Sequence, residues 1–272
     1  GTKGWLVVNE STDTSQESNP TFISATGGTI TCCGDYKIHT FTGPGTFCVS
    51  SIGNPTGGPN SVDYLIVAGG GGMGYGYGGA GGAGGYRASG FGPSPLQATA
   101  IPVSVQGYPI SIGGGGAGSP VNPGNPDYPC GSSPGSVTSG MGLTSTGGGG
   151  GASGKFGRVG KPGGSGGGSS GGAPNSTQAG GTGNTPPVSP PQGNPGESTG
   201  PEGRQGGGAG AAGSSPRCNV TGVPNAITGT ALKYACGGRS GGISPRANSG
   251  FGGTSQGVAG QSGVVIIRYK FQ

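Results

Sequence analysis

The chain has 272 residues, of which 74 are Gly and 24 are Pro, while only 28% are hydrophobic and 8% are charged. This composition excludes an apolar core of ordinary size, because too few large side chains are present to fill one. Unpatterned Gly and Pro usually indicate disorder, but the low charge, the six Cys and several compact apolar runs argue against it. No run approaches the roughly 18 to 20 apolar residues of a membrane-spanning helix, so no membrane insertion is expected.

The formal net charge is +5, and the basic excess is scattered over the chain after residue 63, where eleven Lys and Arg face three acidic residues. One interpretation is that these charges keep an otherwise uncharged surface soluble. The other is attraction to an anionic polymer, such as an acidic glycan or lipopolysaccharide. Nucleic acid is not an expected partner, because the chain has neither a basic run nor a basic helix.

Short apolar runs predict a β module and no amphipathic helix. The runs "GWLVVNE" (4–10) and "SVDYLIVAG" (61–69) each predict a strand. A hairpin is predicted with strands 36–42 and 46–50 around the turn Gly43-Pro44-Gly45. Further strands are expected at 96–105, at 108–112 and at 262–271, with Pro102 and Pro109 favouring edge positions.

Gly-rich segments alternate with Pro-, Ser- and Asn-rich connectors through most of the remaining chain. Ordering a Gly costs roughly 0.5–1 kcal/mol relative to Ala, so many ordered glycines need a structural reason. Extended helices with three residues per turn supply one, because without side chains they can pack and hydrogen-bond sideways through their peptide groups. We therefore expect a bundle of such polyglycine II helices, the alternative being a flexible Gly-rich linker.

The predicted fold is mainly β with little or no helix, a small β-sandwich-like module that carries this glycine-rich bundle. The β module is expected to comprise residues 1–112, completed by the terminal strand 262–271, and the bundle residues 113–261. A first Gly-rich stretch is already present within the β module, at 69–90.

No motif in the sequence indicates catalysis. The spacing Gly69-x-Gly71-x-x-Gly74 matches a loose dinucleotide-binding pattern, but no helix former and no acidic residue follow at the required places. His39 is the one histidine, without a clear catalytic partner, and is expected at a surface or interface of its strand. No CxxC spacing indicates a zinc site. We expect no enzymatic activity, no cofactor and no metal.

The six cysteines suggest cross-links in an oxidised protein. A bridge from Cys218 to Cys236 would close one connector, and a bridge from Cys48 to Cys32 or Cys33 would staple the hairpin to the strand before it. Fifteen complete pairings are possible, so the sequence leaves the connectivity of the cysteines open. The sixth cysteine is Cys130.

Aromatic residues punctuate the Gly-rich stretches, including Tyr75, Tyr77 and Tyr86. Their rings either pack along the flanks of the bundle and seal it, or bind sugars, since Tyr among Gly, Ser and Asn is typical of adaptable binding loops. Two connector residues, Asp127 and Tyr128, are expected to face a partner, because loops carry variable recognition.

Four stretches carry a resemblance to a known family: "YKIHTFTGPGTFCVS", "VDYLIVAGGGG", "GGAGGYRASGFG" and "GQSGVVIIRYK". In this order they resemble the glycine-rich tail-fibre and adhesin proteins of tailed bacteriophages, especially those of marine bacteria. The resemblance implies a sandwich of polyglycine helices whose connecting loops contact the host surface. It supplies no catalytic residues. The adjacent Cys32-Cys33 and the Pro-rich segment 184–202 depart from the family's pattern.

We accordingly expect a non-enzymatic, extracellular domain of a virion fibre or tip that recognises the host cell surface. Its expected partners are a cell-surface glycan or an outer-membrane protein, other virion proteins and further copies of the chain, as in a trimer. The alternative is a structural virion appendage or filament subunit without a receptor. An ice-binding protein would need regular rows of Thr or Ala, which are absent from the sequence.

Overall fold

The computed structural model describes residues 19–120, 131–154, 158–171, 178–198, 205–213, 222–239 and 246–272. Within these ranges the protein is mainly β and contains no α-helix, which confirms the predicted class; its one helical element is the 3₁₀ turn Ser94–Leu96. The strand predicted at 4–10 lies outside the described residues. The strands are β1 (Ser24–Thr26), β2 (Thr29–Cys33), β3 (Tyr36–Phe41), β4 (Gly45–Ser51), β5 (Ser61–Val67), β6 (Tyr86–Ser89), β7 (Gln97–Ala98), β8 (Ile101–Pro102), β9 (Gly107–Ile110), β10 (Thr138–Gly140), β11 (Leu143–Ser145), β12 (Val223–Asn225), β13 (Leu232–Tyr234) and β14 (Val264–Lys270).

A seven-stranded sheet forms the centre of the molecule, in the order β2-β3-β14-β5-β6-β7 with β8 also paired to β5. Strand β14 lies between β3 and β5 and runs antiparallel to both, so that Val265 is opposite Phe41 on one side and Ile66 on the other. Successive residues of β14 enter two different apolar clusters, one on each face of the sheet. This explains the unbroken apolar runs in β5 and β14, because both faces of these strands are buried.

A second, three-stranded sheet, β1-β4-β9, covers one face of the large sheet and makes a sandwich. Its inward residues Phe47 and Val49 meet Tyr64, Ile66 and others from the large sheet in one buried cluster. Burying a side chain such as Phe47 contributes about 1.5–3 kcal/mol to folding. The edge positions predicted for Pro102 and Pro109 are confirmed, because β8 pairs only with β5 and β9 closes one edge of the small sheet.

The predicted hairpin is wrong, although its two strands form close to the expected positions. Strand β3 pairs with β2 and β14, whereas β4 pairs with β1 and β9 in the other sheet. Both edges of β3 are therefore occupied, and the turn after Phe41 carries the chain across the sandwich instead of back along the same sheet. The two strands face each other through side chains such as Phe41 and Phe47 in the shared core.

The other face of the large sheet is covered by the β12–β13 hairpin and by glycine-rich segments. Ile227 and Tyr234 from this hairpin region pack with Leu65, Val67 and Ile266. The Gly-rich region begins directly after β5 and ends directly before β14, and these two strands are neighbours in the sheet. Both ends of the region are thus anchored at the same place.

The glycine segments form extended chains bonded sideways through their peptide groups, as the hydrogen bonds of residues 69–74 show. Amides three residues apart donate to the same neighbouring segment, and successive amides rotate among three segments. This is the period of a three-residue helical turn. The acceptors are Ser136 and Ser133 for Gly69 and Gly72, Gln261 and Val258 for Gly70 and Met73, and Gly82 and Gly79 for Gly71 and Gly74.

The packing distances in this bundle exclude side chains at most glycine positions. A Cβ on Gly72 would lie 2.1 Å from the carbonyl oxygen of Ala117, and one on Gly79 would lie 1.9 Å from that of Gly168. The core of the bundle consists of peptide groups, which is why 28% hydrophobic residues suffice for an ordered fold.

His39 is not at a surface or interface, so that prediction is wrong. Its ring has no exposed surface; it stacks on Tyr269 and meets Phe47 edge-on. The Nδ1–H donates to the Gly27 carbonyl over 2.7 Å, so Nε2 accepts from the Tyr269 hydroxyl over 3.1 Å. Burial lowers the pKa of His39 below 6.5, and this neutral ring acts as a hydrogen-bonded member of the core.

Candidate functional site

The turn at Tyr75–Tyr77 marks one end of the bundle and joins two glycine segments. The Gly74 amide donates to the Gly79 carbonyl over 3.0 Å and closes this turn. Gly76 and Tyr77 adopt left-handed backbone conformations, with φ of 60° and 56°. That conformation costs a side-chain-bearing residue such as Tyr77 about 1–2 kcal/mol.

Three neighbouring segments are hydrogen-bonded to residues in or next to this turn. The Gly154 amide donates to Tyr75 over 2.9 Å, the Gly171 amide donates to Tyr77 over 2.8 Å, and the Ser119 amide donates to Met73 over 2.9 Å. Each of these donors, at residues 119, 154 and 171, lies one or two residues before a connector. We call this face of the molecule, built from the 75–77 turn and these segment ends, the loop end.

Of the aromatic residues in the Gly-rich stretches, some are buried against the sheet and others are exposed. Tyr86 is buried in the apolar cluster behind the large sheet, and its hydroxyl accepts a 2.7 Å hydrogen bond from Asn225. Burial raises the pKa of Tyr86 to about 12. Tyr75 is half-buried, whereas the side chain of Tyr77 is 57% exposed at the loop end. The other two candidate contact residues, Asp127 and Tyr128, lie outside the described residues.

A cavity of about 210 Å³ opens beside this turn, and it was not anticipated from the sequence. Its charged members, Arg158 and Lys161, are both exposed. Their backbone carbonyls accept from Ser170 and Gly167, which are also three residues apart. The described residues that line it are Gly131, Gly151, Ala152, Ser153, Arg158, Val159 and Lys161.

The expected bridge between Cys48 and Cys32 or Cys33 is not formed, and all three are free thiols. Cys48 lies between the inward residues Phe47 and Val49 of β4, so its own side chain faces outward from the small sheet. Cys32 and Cys33 belong to β2, at the edge of the large sheet. Cys236 is buried, and burial raises its pKa to about 12.

The second expected bridge, from Cys218 to Cys236, is not formed either, because Cys236 is a free thiol. Cys218 itself lies outside the described residues. Cys130 lies outside them as well.

The loose dinucleotide pattern at Gly69, Gly71 and Gly74 does not form a phosphate loop. All three amides donate to neighbouring segments of the bundle, and no helix follows them. Among the residues that the structure describes, no group of three or more His, Cys, Asp or Glu could hold a metal ion. In the same ranges, no helix is long and apolar enough to cross a membrane.

These observations define a mainly β domain in which a sandwich anchors a glycine bundle, with the Tyr75–Tyr77 turn and the segment ends 119, 154 and 171 together at one end. The chain belongs to the glycine-rich domain family, whose model matches residues 42–270. The match covers the part of the chain that holds β5, β14 and the whole bundle. No curated protein matches the chain significantly.

Proposed function

We propose that this chain is a non-enzymatic domain of a virion fibre that binds the host cell surface through loops displayed on a glycine scaffold. The observation that carries the proposal is the collection of segment ends 119, 154 and 171 around the exposed Tyr75–Tyr77 turn. The resemblance to phage tail-fibre and adhesin proteins supports the virion and extracellular location.

The construction of the bundle supports a recognition role. The core of the bundle is made mainly of peptide groups, although the Pro-rich segment 184–202 also contributes a buried side chain, Gln192, which accepts from the Thr146 amide. Binding residues are often placed on loops that a rigid scaffold positions, since loops tolerate sequence change. Connectors that vary in sequence would then alter the partner while the glycine segments keep their packing.

The strained conformation of Tyr77 also favours a role in binding. Tyr77 combines a left-handed backbone with a ring that is 57% exposed, and backbone strain of this kind tends to accumulate at functional sites. A glycan or an outer-membrane protein would be bound by several weak contacts of this kind, strengthened by multiple copies on one particle.

The alternative function is a structural appendage or filament subunit, and strand β2 favours it. All but the last of its residues are exposed, including Ile30 at 43%, and among the described residues it pairs only with β3. An open strand edge of this kind is a template for pairing with another chain. In that case the contacts between subunits would involve β2 and not the loop end.

Binding of the labelled chain to intact host cells, before and after removal of surface glycan, tests the proposal. Tyr77→Gly should lower binding while keeping or raising the stability, because Gly adopts the left-handed conformation without strain. The control is Val105→Ser, which removes a 59% exposed side chain from the β module and should leave binding unchanged.

Exchange of the connector 121–130 extends the test, because the anchoring residues Ser119 and Ser133 stay in place. A connector of different sequence should change which cells are bound without unfolding the chain. Equal binding by wild type and both loop variants, or no binding to any cell that the parent virus infects, would refute the proposal and favour the structural appendage.

A further inference from the structure

We propose that the cavity between residues 151–153 and 158–161 binds an oxyanion, the sulfate, phosphate or carboxylate substituent of an acidic surface polysaccharide. The inference rests on the proposed function for the origin of this polymer and specifies its chemistry. The site combines two exposed cations with one buried hydroxyl that has no hydrogen-bond partner among the described residues. It lies at the loop end, directly beside the Tyr75–Tyr77 turn.

The two cations keep donors available for a ligand. The Lys161 ammonium donates to the Ser132 carbonyl over 2.8 Å, which occupies one of its three N–H groups. The guanidinium of Arg158 forms no hydrogen bond or ion pair with any residue that the structure describes, and none of the described residues that line the cavity is acidic. A guanidinium and an ammonium on one cavity suit an oxyanion, because charge-assisted hydrogen bonds are about twice as strong as neutral ones.

Ser153 provides the second, independent indication of a ligand. It lines the cavity and is only 4% exposed, yet its hydroxyl has no hydrogen-bond partner within the described part of the chain. An unsatisfied buried polar group is unfavourable, so such groups call for an explanation. The hydroxyl oxygen now lies beside Gly74 with almost no exposed surface, so Ser153 would have to turn toward the cavity to donate its proton to an oxyanion held by Arg158 and Lys161.

The period of the glycine helix explains how the two cations come together. Arg158 and Lys161 are three residues apart, which is one turn of a polyglycine helix, so both side chains project toward the same cavity. The same spacing continues backward in the sequence "KFGRVGK" to Lys155, which lies outside the described residues.

The volume of the cavity indicates whether it holds one charged substituent or a whole ligand. At about 210 Å³ it is smaller than the roughly 300–1,000 Å³ of pockets that enclose drug-sized molecules. It therefore fits one charged group, and the sugar ring that carries the group would continue onto the surface. Tyr75 and Tyr77 border that surface. The Gly154 amide, next to Ser153, donates to the Tyr75 carbonyl. The Gly171 amide, next to Ser170, donates to the Tyr77 carbonyl.

The test measures binding of the full chain to dextran sulfate, to a phosphorylated polysaccharide, to polygalacturonate and to neutral dextran. We expect binding to at least one polyanion and none to dextran, and the three polyanions distinguish the possible substituents. Binding should be lost near 1 M salt, where the screening length falls to about 3 Å. Binding to no polyanion, or equal binding to neutral dextran, would overturn the inference.

Two pairs of variants locate the site. R158Q/K161Q should weaken polyanion binding by about tenfold or more, whereas K233Q/K270Q, which lowers the net charge by the same amount on the β strands, should change it by less than about twofold. Ser153→Ala should also weaken binding without loss of stability. Ser165→Ala is its control, because Ser165 is also buried and without a hydrogen-bond partner in the described ranges but does not line the cavity. Equal effects of the two members of either pair would show that binding is diffuse and would contradict the site.

The same variants separate this inference from the proposed function. If R158Q/K161Q still binds cells like wild type but loop exchange abolishes cell binding, the oxyanion site is wrong and the adhesin function stands. If the chain binds polyanions through the cavity but no host cells, the site stands and the adhesin function is wrong.

Discussion

A single methyl group should discriminate between a packed glycine bundle and a loose one, and Gly72 is the position at which to add it. A Cβ on Gly72 would lie 2.1 Å from the carbonyl oxygen of Ala117, whereas ordinary van der Waals contact begins at 3.4 Å. The obstacle is backbone, which has no rotamer to change. The two segments must therefore separate by more than an ångström to admit the substitution.

The cost of this separation follows from the hydrogen bonds that join the two segments. The Gly116 amide donates to Gly70 over 2.8 Å and the Ser119 amide donates to Met73 over 2.9 Å, on either side of Gly72. A buried polar group that loses its partner costs about 1–3 kcal/mol. With both bonds weakened, Gly72→Ala should lower the free energy of unfolding by about 3–5 kcal/mol, and the melting temperature by about 8–15 °C for a chain of this size.

Gly114→Ala is the matched control in the same bundle. No atom lies within 4 Å of a Cβ at this position, and its φ is not in the left-handed region. Replacing such a Gly by Ala should stabilise the protein by about 0.4–1 kcal/mol, because the unfolded chain loses conformational freedom. The measurement is guanidinium unfolding followed by circular dichroism. A Gly72→Ala variant within about 1 kcal/mol of Gly114→Ala would refute the packing argument.

Three further predictions concern buried groups. Because the folded-state pKa of His39 is below 6.5, the unfolded chain binds more protons, and its contribution to stability is lost as the pH falls from about 6.5 toward the folded-state value. His39→Gln should show a flatter dependence of unfolding free energy on pH between 7 and 5, and an equal slope would contradict the assignment. Tyr86→Phe should cost about 1–3 kcal/mol in urea unfolding, since Asn225 loses its buried acceptor. Alkylation mapped by mass spectrometry should modify Cys32 in the native protein and Cys236 only after unfolding, because the latter thiol is buried with a pKa of about 12; native modification of Cys236 would show that this burial is wrong.

The strands were predictable where the sequence is densely apolar. Strands β5 and β14 were expected at 61–69 and 262–271 and form at Ser61–Val67 and Val264–Lys270. Their continuous runs indicate burial on both faces, which is a local property of the strand. The class of the fold follows from such runs together with the absence of helical periodicity.

The pairing of strands was harder to predict from the sequence, as the incorrect prediction of a hairpin shows. The turn signal at Gly43-Pro44-Gly45 is correct about where the chain changes direction. It does not determine which sheet receives β4, because that depends on β14, more than two hundred residues away, taking the edge of β3. His39 was misjudged for the same reason: its burial depends on Tyr269 and on the small sheet, both distant in sequence.

Part of the candidate site could be predicted from the sequence. The rest becomes recognisable once the three-residue period of the bundle is taken into account. Tyr75 and Tyr77 were visible as aromatic interruptions of a glycine run. Arg158 and Lys161 belong to the basic residues scattered after residue 63, and only the three-residue period of the polyglycine helix relates them to each other. In a polyglycine bundle, residues three apart face the same neighbour, as the amides of 69–74 demonstrate. Applied to "RVGK", that rule places Arg158 and Lys161 on one side of a segment, so the charge pattern of a glycine-rich chain is informative once its period is known.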